Sequence, residues 1–199
     1  MADLIATLTS IFTLLGTASF MIVVALVASG FKFFKPLSAK NKNIPKIAIG
    51  VVLGLLAVFG TLMGTKLADG TIINVRELAV MIAGVAGGPI GGVIAGVIGG
   101  VHRYTVGGAT ALPCTVSTIL IGLISGLVST KIMGKMYLLK GAALGFVLES
   151  TAMGLILAFV PFSQAVAIVE KIAVPMIAAN TVGLVLWLYL ANRWKQATA

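Results

Sequence analysis

Charged side chains are scarce in this chain. Only 10% of its 199 residues are Asp, Glu, Lys or Arg, 59% are hydrophobic, and the mean hydropathy is +1.15. Soluble domains carry about 25% charged residues. Such a composition excludes an ordinary water-soluble domain, because most side chains must face lipid or one another. It predicts an all-α polytopic membrane protein that lies in a lipid bilayer.

Cysteine and histidine each occur once, as Cys114 and His102. A single cysteine excludes an intrachain disulfide, and one histidine without a second ligand at helical spacing does not indicate a metal site. The sequence contains no P-loop, nucleophile elbow or zinc-binding helix. We therefore expect no catalytic residues, no metal and no cofactor in this segment.

Acidic residues are few as well: five Asp and Glu stand against 14 Lys and Arg, for a net charge of +9. The basic residues collect in three short stretches, at residues 32–46, 131–140 and 193–195. The chain has no basic stripe with interleaved aromatics of the kind that binds nucleic acid. The excess is typical of the positive-inside rule, which predicts that these stretches and the C-terminus are cytoplasmic and the N-terminus is outside.

Six apolar segments separate these stretches, and six full crossings would conflict with the charge rule. From an outside N-terminus, six crossings would place residues 131–140 and 193–195 outside. Five crossings plus one glycine-rich, re-entrant helical segment remove both conflicts, and this is the predicted topology. The segments cover residues 4–31, 47–65, 78–101, 114–130, 141–160 and 172–190.

A reversal is predicted at residues 87–89, Gly-Gly-Pro, because glycine and proline both disfavour a continuous helix. The flanking arms would be about 16 and 20 Å long. We expect the hairpin to reach about the middle of the membrane and to return Arg76 and Arg103 to one level on the outer side. The alternative is a sixth crossing, since glycines recur every four residues from position 84 to position 100, as in a tightly packed continuous helix.

Arg76 and Arg103 are the leading candidates for a binding site. Two guanidinium groups at one level offer planar, permanently charged forks that suit a carboxylate or a phosphate. The alternative is that each arginine only anchors the membrane interface. Glu77 is a potential local counterion of Arg76.

Cys114 and Ser117 share one helix face, and Thr118 lies next to it. Because Pro113 precedes them, we expect a helix to begin here and to present the partly unpaired amides of residues 114–117 to an anion. The alternative is that these small polar residues only allow helices to approach closely.

Two polar residues interrupt later apolar segments. Glu149 requires a partner or a role, because an ionised carboxylate is costly inside a membrane. It could pair with an arginine, relay a proton or remain protonated. Asn180 is expected to hydrogen-bond between helices, with a ligand contact as the alternative.

Four sequence blocks carry a family resemblance. Their order and spacing resemble the five-transmembrane sensor domain of LytS/YhcK-type receptors, and the resemblance covers about residues 47–192. The blocks are Asn-Val-Arg-Glu at 74–77, Gly-Gly-Pro-Ile-Gly-Gly at 87–92, Gly-Gly-Val-His-Arg-Tyr at 99–104 and Gly-Gly-Ala-Thr-Ala-Leu-Pro-Cys at 107–114.

The resemblance implies a sensor in the bacterial plasma membrane, usually attached to a cytoplasmic histidine kinase or diguanylate cyclase. Such systems control cell-wall lysis or the uptake of small carboxylates, and pyruvate is the implied ligand. The implied ligand contacts are Arg76, Arg103, Cys114 and Ser117. Residues expected around them are Glu77, Thr118, Glu149 and Asn180.

Further expectations concern partners. We expect a homodimer and a cytoplasmic signalling domain or partner kinase, and no nucleic acid. A transporter, or the substrate-binding subunit of one, is the first alternative, since broken helices also build transport sites. A structural membrane protein whose glycines only pack helices is the second alternative.

The sequence departs from the family pattern in two places. Relatives commonly have a histidine-methionine pair after the intramembrane glutamate, where this chain has Ala152-Met153. No phosphoacceptor histidine or nucleotide-binding domain follows within the 199 residues. The chain is therefore expected to be either a sensor fragment or a free-standing homologue that signals through a partner.

Overall fold

Helices account for nearly all of the described structure, as the composition predicts. The computed structural model describes residues 2–30, 43–67, 70–132 and 134–197. Most of the predicted basic stretch at residues 32–46 therefore lies outside the described residues. The elements are α1 (Ala2–Gly30), α2 (Ile44–Leu62), β1 (Thr65–Lys66), β2 (Ile72–Ile73), α3 (Arg76–Val106), α4 (Ala111–Leu127), α5 (Ser129–Ile132), α6 (Tyr137–Phe159) and α7 (Phe162–Ala197).

Four of these helices, α2, α3, α6 and α7, are long and apolar enough to cross a membrane. Shorter apolar helical stretches cover Phe12–Val27 and Ala111–Leu127. The all-α membrane fold is thus confirmed. The two strands form one short antiparallel pair, in which Thr65 faces Ile73, and this pair links α2 to α3.

Helix α3 reverses direction at Gly88. This residue has φ +66° and ψ −165°, a backbone conformation that glycine tolerates far better than other residues. It separates a first arm, residues 76–87, from a second arm, residues 89–106. A Cβ atom placed on Gly92 would lie 3.0 Å from the Cα atom of Gly84, whereas eight residues of continuous helix span about 12 Å. The alternative of one continuous helix is therefore wrong.

Glycines let the two arms pack closely between α2 and α4. A Cβ atom on Gly92 would lie 1.9 Å from the carbonyl oxygen of Gly122 in α4. A Cβ atom on Gly50 in α2 would lie 2.8 Å from the carbonyl oxygen of Gly91. The glycine repeat therefore supports close packing within a folded hairpin. We call α2, α3 and α4 together the glycine unit.

The arms run along most of α2. At the tip, a Cβ atom on Gly87 would lie 3.4 Å from the carbonyl oxygen of Lys46, near the start of α2. At the open end, Arg76 packs against Gly60, near the end of α2. About 21 Å of helix separates Lys46 from Gly60. The hairpin therefore runs beside most of α2, and the depth that it reaches in a membrane stays a prediction.

Two other helices begin earlier than predicted. Helix α4 begins at Ala111 rather than at residue 114. Helix α7 begins at Phe162 rather than at residue 172, and it continues through Pro175. Glu170 and Lys171 do not interrupt it, because both side chains are exposed on its surface.

Two ends of the molecule can be distinguished by their basic residues. Lys140 Nζ donates to the carbonyl oxygen of Lys131 at 2.9 Å, and Asn192 Nδ2 donates to Tyr137 Oη at 3.3 Å. The hairpin tip packs against Gly126, near the end of α4, and so lies at the same end. We call this the basic end, with Lys46, Lys131, Lys140 and Arg193, and the opposite end of the glycine unit the arginine end, with Arg76 and Arg103.

Candidate functional site

Arg76 is fixed at the first position of α3 by a local turn. Its backbone N–H donates to Asn74 Oδ1 at 3.0 Å, and Asn74 Nδ2 donates to the carbonyl oxygen of Ile72 at 3.1 Å. Asparagine forms such turns because its short side chain competes with backbone partners. Sequence reasoning missed this role of Asn74, although an asparagine two residues before a helix is a recognisable signal.

The guanidinium group of Arg76 is completely buried and partly paired. Nε donates to Thr118 Oγ1 at 3.0 Å, and Nη2 forms an ion pair with Glu77 Oε1. Within the described ranges, Nη1 and Glu77 Oε2 have no hydrogen-bond partner. Thr118 Oγ1 also lies 2.6 Å from the carbonyl oxygen of Cys114 and 3.3 Å from Glu77 Oε1. Thr118 thus joins α4 to the ion pair.

Arg103 is buried in the last turn of α3. Nη1 donates to the carbonyl oxygen of Gly107 at 2.5 Å, and Nη2 donates to Thr110 Oγ1 at 2.9 Å. The turn that supplies these acceptors requires glycine, since Gly107 and Gly108 have φ values of +76° and +91°. Nε has no hydrogen-bond partner in the described part of the chain. Sequence reasoning did not identify Gly107 and Thr110 as partners of Arg103.

The two arginines meet at the open end of the hairpin. The Cδ atom of Arg76 would lie 3.5 Å from a Cβ atom on Gly99, one turn before Arg103. The two guanidinium groups are close enough to repel each other, and the Cys114 side chain interacts with both. The structure therefore brings together three of the four predicted ligand contacts. We call Arg76, Glu77, Arg103, Cys114 and Thr118 the arginine cluster.

The predicted anion site at the amides of residues 114–117 is wrong. Because α4 begins at Ala111, the Cys114 N–H is already bonded to the carbonyl oxygen of Thr110 at 3.0 Å. Pro113 lies inside the first turn, where its missing N–H costs little. Ser117 is buried, and its Oγ donates to the carbonyl oxygen of Cys114 at 3.0 Å. Among the described residues, no hydrogen bond joins Ser117 to either arginine.

Asn180 and Glu149 approach the cluster from α7 and α6. Asn180 Oδ1 accepts from the backbone N–H of Leu78 at 3.1 Å, so that it bridges α7 to the first turn of α3. Glu149 is fully buried and interacts electrostatically with Glu77 and Arg76. Neither of its carboxylate oxygens has a hydrogen-bond partner among the described residues. Over the same ranges, no three His, Cys, Asp or Glu side chains could hold a metal ion.

Several known proteins with similar sequences are named as sensors. A family model described as "5TMR of 5TMR-LYT" matches residues 31–193. The sensor histidine kinase BtsS of Escherichia coli (strain K12) is 34% identical over 175 residues, which cover 84% of this chain and 31% of BtsS. The sensor histidine kinase YpdA of the same strain is 33% identical, over 82% of this chain and 30% of YpdA. The sensor protein LytS of Bacillus anthracis is 29% identical, over 82% of this chain and 31% of LytS.

The chain spans about a third of the length of these curated relatives. No solved structure matches it. The family model covers most of the chain and includes all four blocks on which the resemblance rests. The chain therefore belongs to the family of LytS-type five-transmembrane sensor domains.

Proposed function

We propose that the arginine cluster binds a small monocarboxylate, represented by pyruvate, and that the occupied site changes helix packing as a signal. The family assignment makes the chain a membrane sensor domain of the type found in histidine kinases. It does not favour the alternative of a transporter. The identity of the ligand, the topology and the path of the signal are proposals.

The observation that carries this proposal is an unbalanced set of buried charges. Two guanidinium groups face a single ion-paired carboxylate, that of Glu77, and Arg76 Nη1 and Arg103 Nε lack partners among the described residues. An unpaired buried charge is costly, so a structure retains one mainly where a ligand or a counterion completes it. One carboxylate supplies one negative charge and two acceptor oxygens, which match these two vacant donors. Cys114 and Ser117 complete the proposed contacts.

The proposed topology follows from the two ends of the molecule. The basic end faces the cytoplasm by the positive-inside rule, so the arginine end faces the extracytoplasmic side. Five helices, α1, α2, α4, α6 and α7, then cross the plasma membrane, and α3 is the re-entrant hairpin. The N-terminus lies outside and the C-terminus in the cytoplasm. The ligand enters from the outer side.

The proposed signal travels along α7. Asn180 connects this helix to the first turn of α3, next to Arg76, and about 25 Å of helix then leads to Ala197 at the basic end. Allosteric coupling between sites is typically about 1–3 kcal/mol. The receiver in this proposal is a cytoplasmic signalling domain or partner kinase, and the signalling unit is a homodimer.

Isothermal titration of the purified chain in detergent with pyruvate tests the ligand. We expect pyruvate to bind, and Arg103→Ala to weaken binding by about 30-fold or more, since truncating one partner of a buried charged pair costs about 2–5 kcal/mol. Arg103 is the sharper choice because its other partners, Gly107 and Thr110, are neutral. Its removal leaves Glu77 in its ion pair with Arg76.

Arg193→Ala is the matched control, because this arginine is exposed at the basic end. It should bind pyruvate as the unmodified chain does. Inorganic phosphate, titrated in parallel, separates carboxylate recognition from general anion binding. Unchanged pyruvate affinity in a folded Arg103→Ala variant would contradict the site, and tighter binding of phosphate than of pyruvate would contradict the ligand class.

A further inference from the structure

Glu149 is a fully buried carboxyl group of α6. Its side chain is fully enclosed, and neither oxygen has a hydrogen-bond partner in the described part of the chain. Its helix is held against α7 one turn away, where a Cβ atom on Gly145 would lie 3.0 Å from the Cα atom of Thr181. Asn180 Nδ2 is likewise buried and has no hydrogen-bond partner among the described residues. A polar group enclosed in this way carries a free-energy cost, which a bound proton reduces for a carboxylate.

The charged surroundings of Glu149 come from the arginine cluster. From α3, Glu77 repels its negative charge and Arg76 attracts it. From α4, the only titratable side chain is that of Cys114, which lies beside the two arginines. From α7, Asn180 bonds to the first turn of α3 and Thr181 packs against Gly145 of α6, and both residues are neutral. The other described titratable groups on α5, α6 and α7 lie at the basic end or nine or more residues from Asn180 or Glu149, namely Lys131, Tyr137, Lys140, Glu170, Lys171, Tyr189, Arg193 and Lys195.

Counting charges in this enclosed region gives two states. With Glu149 ionised, the two arginines and two carboxylates sum to zero, so adding a monocarboxylate would leave a net negative charge among buried groups. With Glu149 protonated, the empty region carries one positive charge, and one monocarboxylate neutralises it. Buried charge is most stable when it is balanced. The anion and the proton therefore favour each other's binding.

We infer that Glu149 is a proton-binding residue of this domain and that the site takes up a carboxylate together with one proton. The inference rests on the proposed function, because the anion is the one assigned to the arginine cluster. It extends that function, since the domain would respond to the ligand and to acidity together. In this inference, Glu149 sets the net charge of the buried region by gaining or losing a proton, and it does not contact the ligand.

The sign of the pH dependence follows directly. Because binding consumes a proton, pyruvate affinity falls as the pH rises, by up to about tenfold per unit once Glu149 is ionised in the empty protein. Glu149→Gln keeps the shape of the side chain and remains neutral at every pH. This variant should therefore hold the affinity that the unmodified chain shows at low pH, with little change between pH values.

The experiment is a pyruvate titration of the full chain in detergent, by calorimetry, between about pH 6 and pH 9, in buffers of different ionisation enthalpy. We expect a proton uptake approaching one per pyruvate in the unmodified chain at the high end of this range, and none in Glu149→Gln. Glu170→Gln makes the same chemical change at an exposed carboxylate and should behave as the unmodified chain does. The infrared carbonyl band of a protonated carboxylic acid should grow on adding pyruvate and be missing in Glu149→Gln.

The outcomes separate the two proposals. Pyruvate binding with no pH dependence in the unmodified chain overturns the proton inference and leaves the ligand proposal intact. If the pH dependence of pyruvate affinity persists in Glu149→Gln but disappears in Cys114→Ser, the proton belongs to the thiol and the role of Glu149 is overturned. A chain that binds no pyruvate at any pH overturns the proposed function, and the infrared titration without ligand still shows whether Glu149 takes up a proton.

Discussion

The glycine unit and the hairpin formed by α6 and α7 use different means to hold helices together. In the glycine unit, backbone meets backbone: a Cβ atom on Gly92, Gly122 or Gly126 would lie within 2.5 Å of a backbone atom of another segment. In the α6–α7 hairpin, the closest such approach to a backbone atom among the described residues is 3.0 Å, between Gly145 and the Cα atom of Thr181, and a Cβ atom on Gly154 would meet none of them within 4 Å. Close backbone contact is thus concentrated around α3.

The two regions also treat charge differently. The glycine unit encloses Arg76, Glu77 and Arg103, whereas the α6–α7 hairpin encloses Glu149 and leaves Glu170 and Arg193 exposed. A charge stays enclosed only where the packing around it excludes water and resists rearrangement, and the tight glycine packing provides such surroundings. The difference indicates that the glycine unit holds the site, and that the α6–α7 hairpin adds the side chains of Glu149 and Asn180 to its surroundings.

The largest expected effect comes from removing a buried charge of the glycine unit. Arg76→Ala leaves Glu77 buried without its ion-pair partner, and breaking such a pair typically costs about 3–5 kcal/mol. Arg193→Ala removes the same side chain from the exposed surface of α7 and should change the free energy of unfolding by less than about 0.5 kcal/mol. Denaturant titration of both variants in detergent measures the difference.

A double variant tests the cause of this loss. If the unpaired carboxylate is responsible, Arg76→Ala combined with Glu77→Gln should recover part of the lost stability, as a double-mutant cycle would show. If Arg76→Ala is as stable as Arg193→Ala, the proposed difference between the two regions is contradicted, because a buried and an exposed arginine would then contribute equally to stability.

A smaller loss is expected from adding one methyl group to the glycine unit. Gly92→Ala places a Cβ atom 1.9 Å from the carbonyl oxygen of Gly122, so the second arm and α4 must separate, at a cost of about 1–3 kcal/mol. Gly154→Ala makes the same change on the open face of α6 and should be neutral or stabilising by up to about 1 kcal/mol, because alanine favours helix more than glycine does. Thermal unfolding of the two variants provides the test, and equal melting temperatures would contradict the packing argument.

Sequence reasoning predicted the features of the fold that local chemistry determines. Apolar segments and basic stretches predicted the helices and the two charged ends, and the Gly-Gly-Pro at residues 87–89 predicted the reversal. The starts of α4 and α7 were missed because the Gly107-Gly108 turn and the exposed position of Glu170 depend on tertiary surroundings. The register of the hairpin against α2 could not be predicted, because it depends on which glycines meet across the two elements.

The candidate site divides in a similar way. Arg76 and Arg103 could be proposed from the sequence because charged groups in an apolar chain are conspicuous, and Cys114 because of its place after Pro113 and the family resemblance. Thr110 and Asn74 were missed as hydrogen-bond partners, since a threonine or an asparagine at the edge of a helix is unremarkable without its neighbour. The helix start that was expected to bind an anion proved to be bonded within the chain, because a shift of three residues changes which amides are unpaired.

The smallest expected effect concerns the bond that joins the two regions. Asn180→Ala removes the acceptor of the Leu78 N–H, but this N–H also lies 3.2 Å from the carbonyl oxygen of Val75, so it does not become unpaired. Interhelical hydrogen bonds in membranes contribute about 0.6 kcal/mol on average. We therefore expect a loss of stability below about 1 kcal/mol and pyruvate binding within a few-fold of the unmodified chain, measured by denaturant titration and calorimetry. A loss as large as that of Arg76→Ala would contradict the division, because α7 would then belong to the same packed unit as the site it is proposed to read.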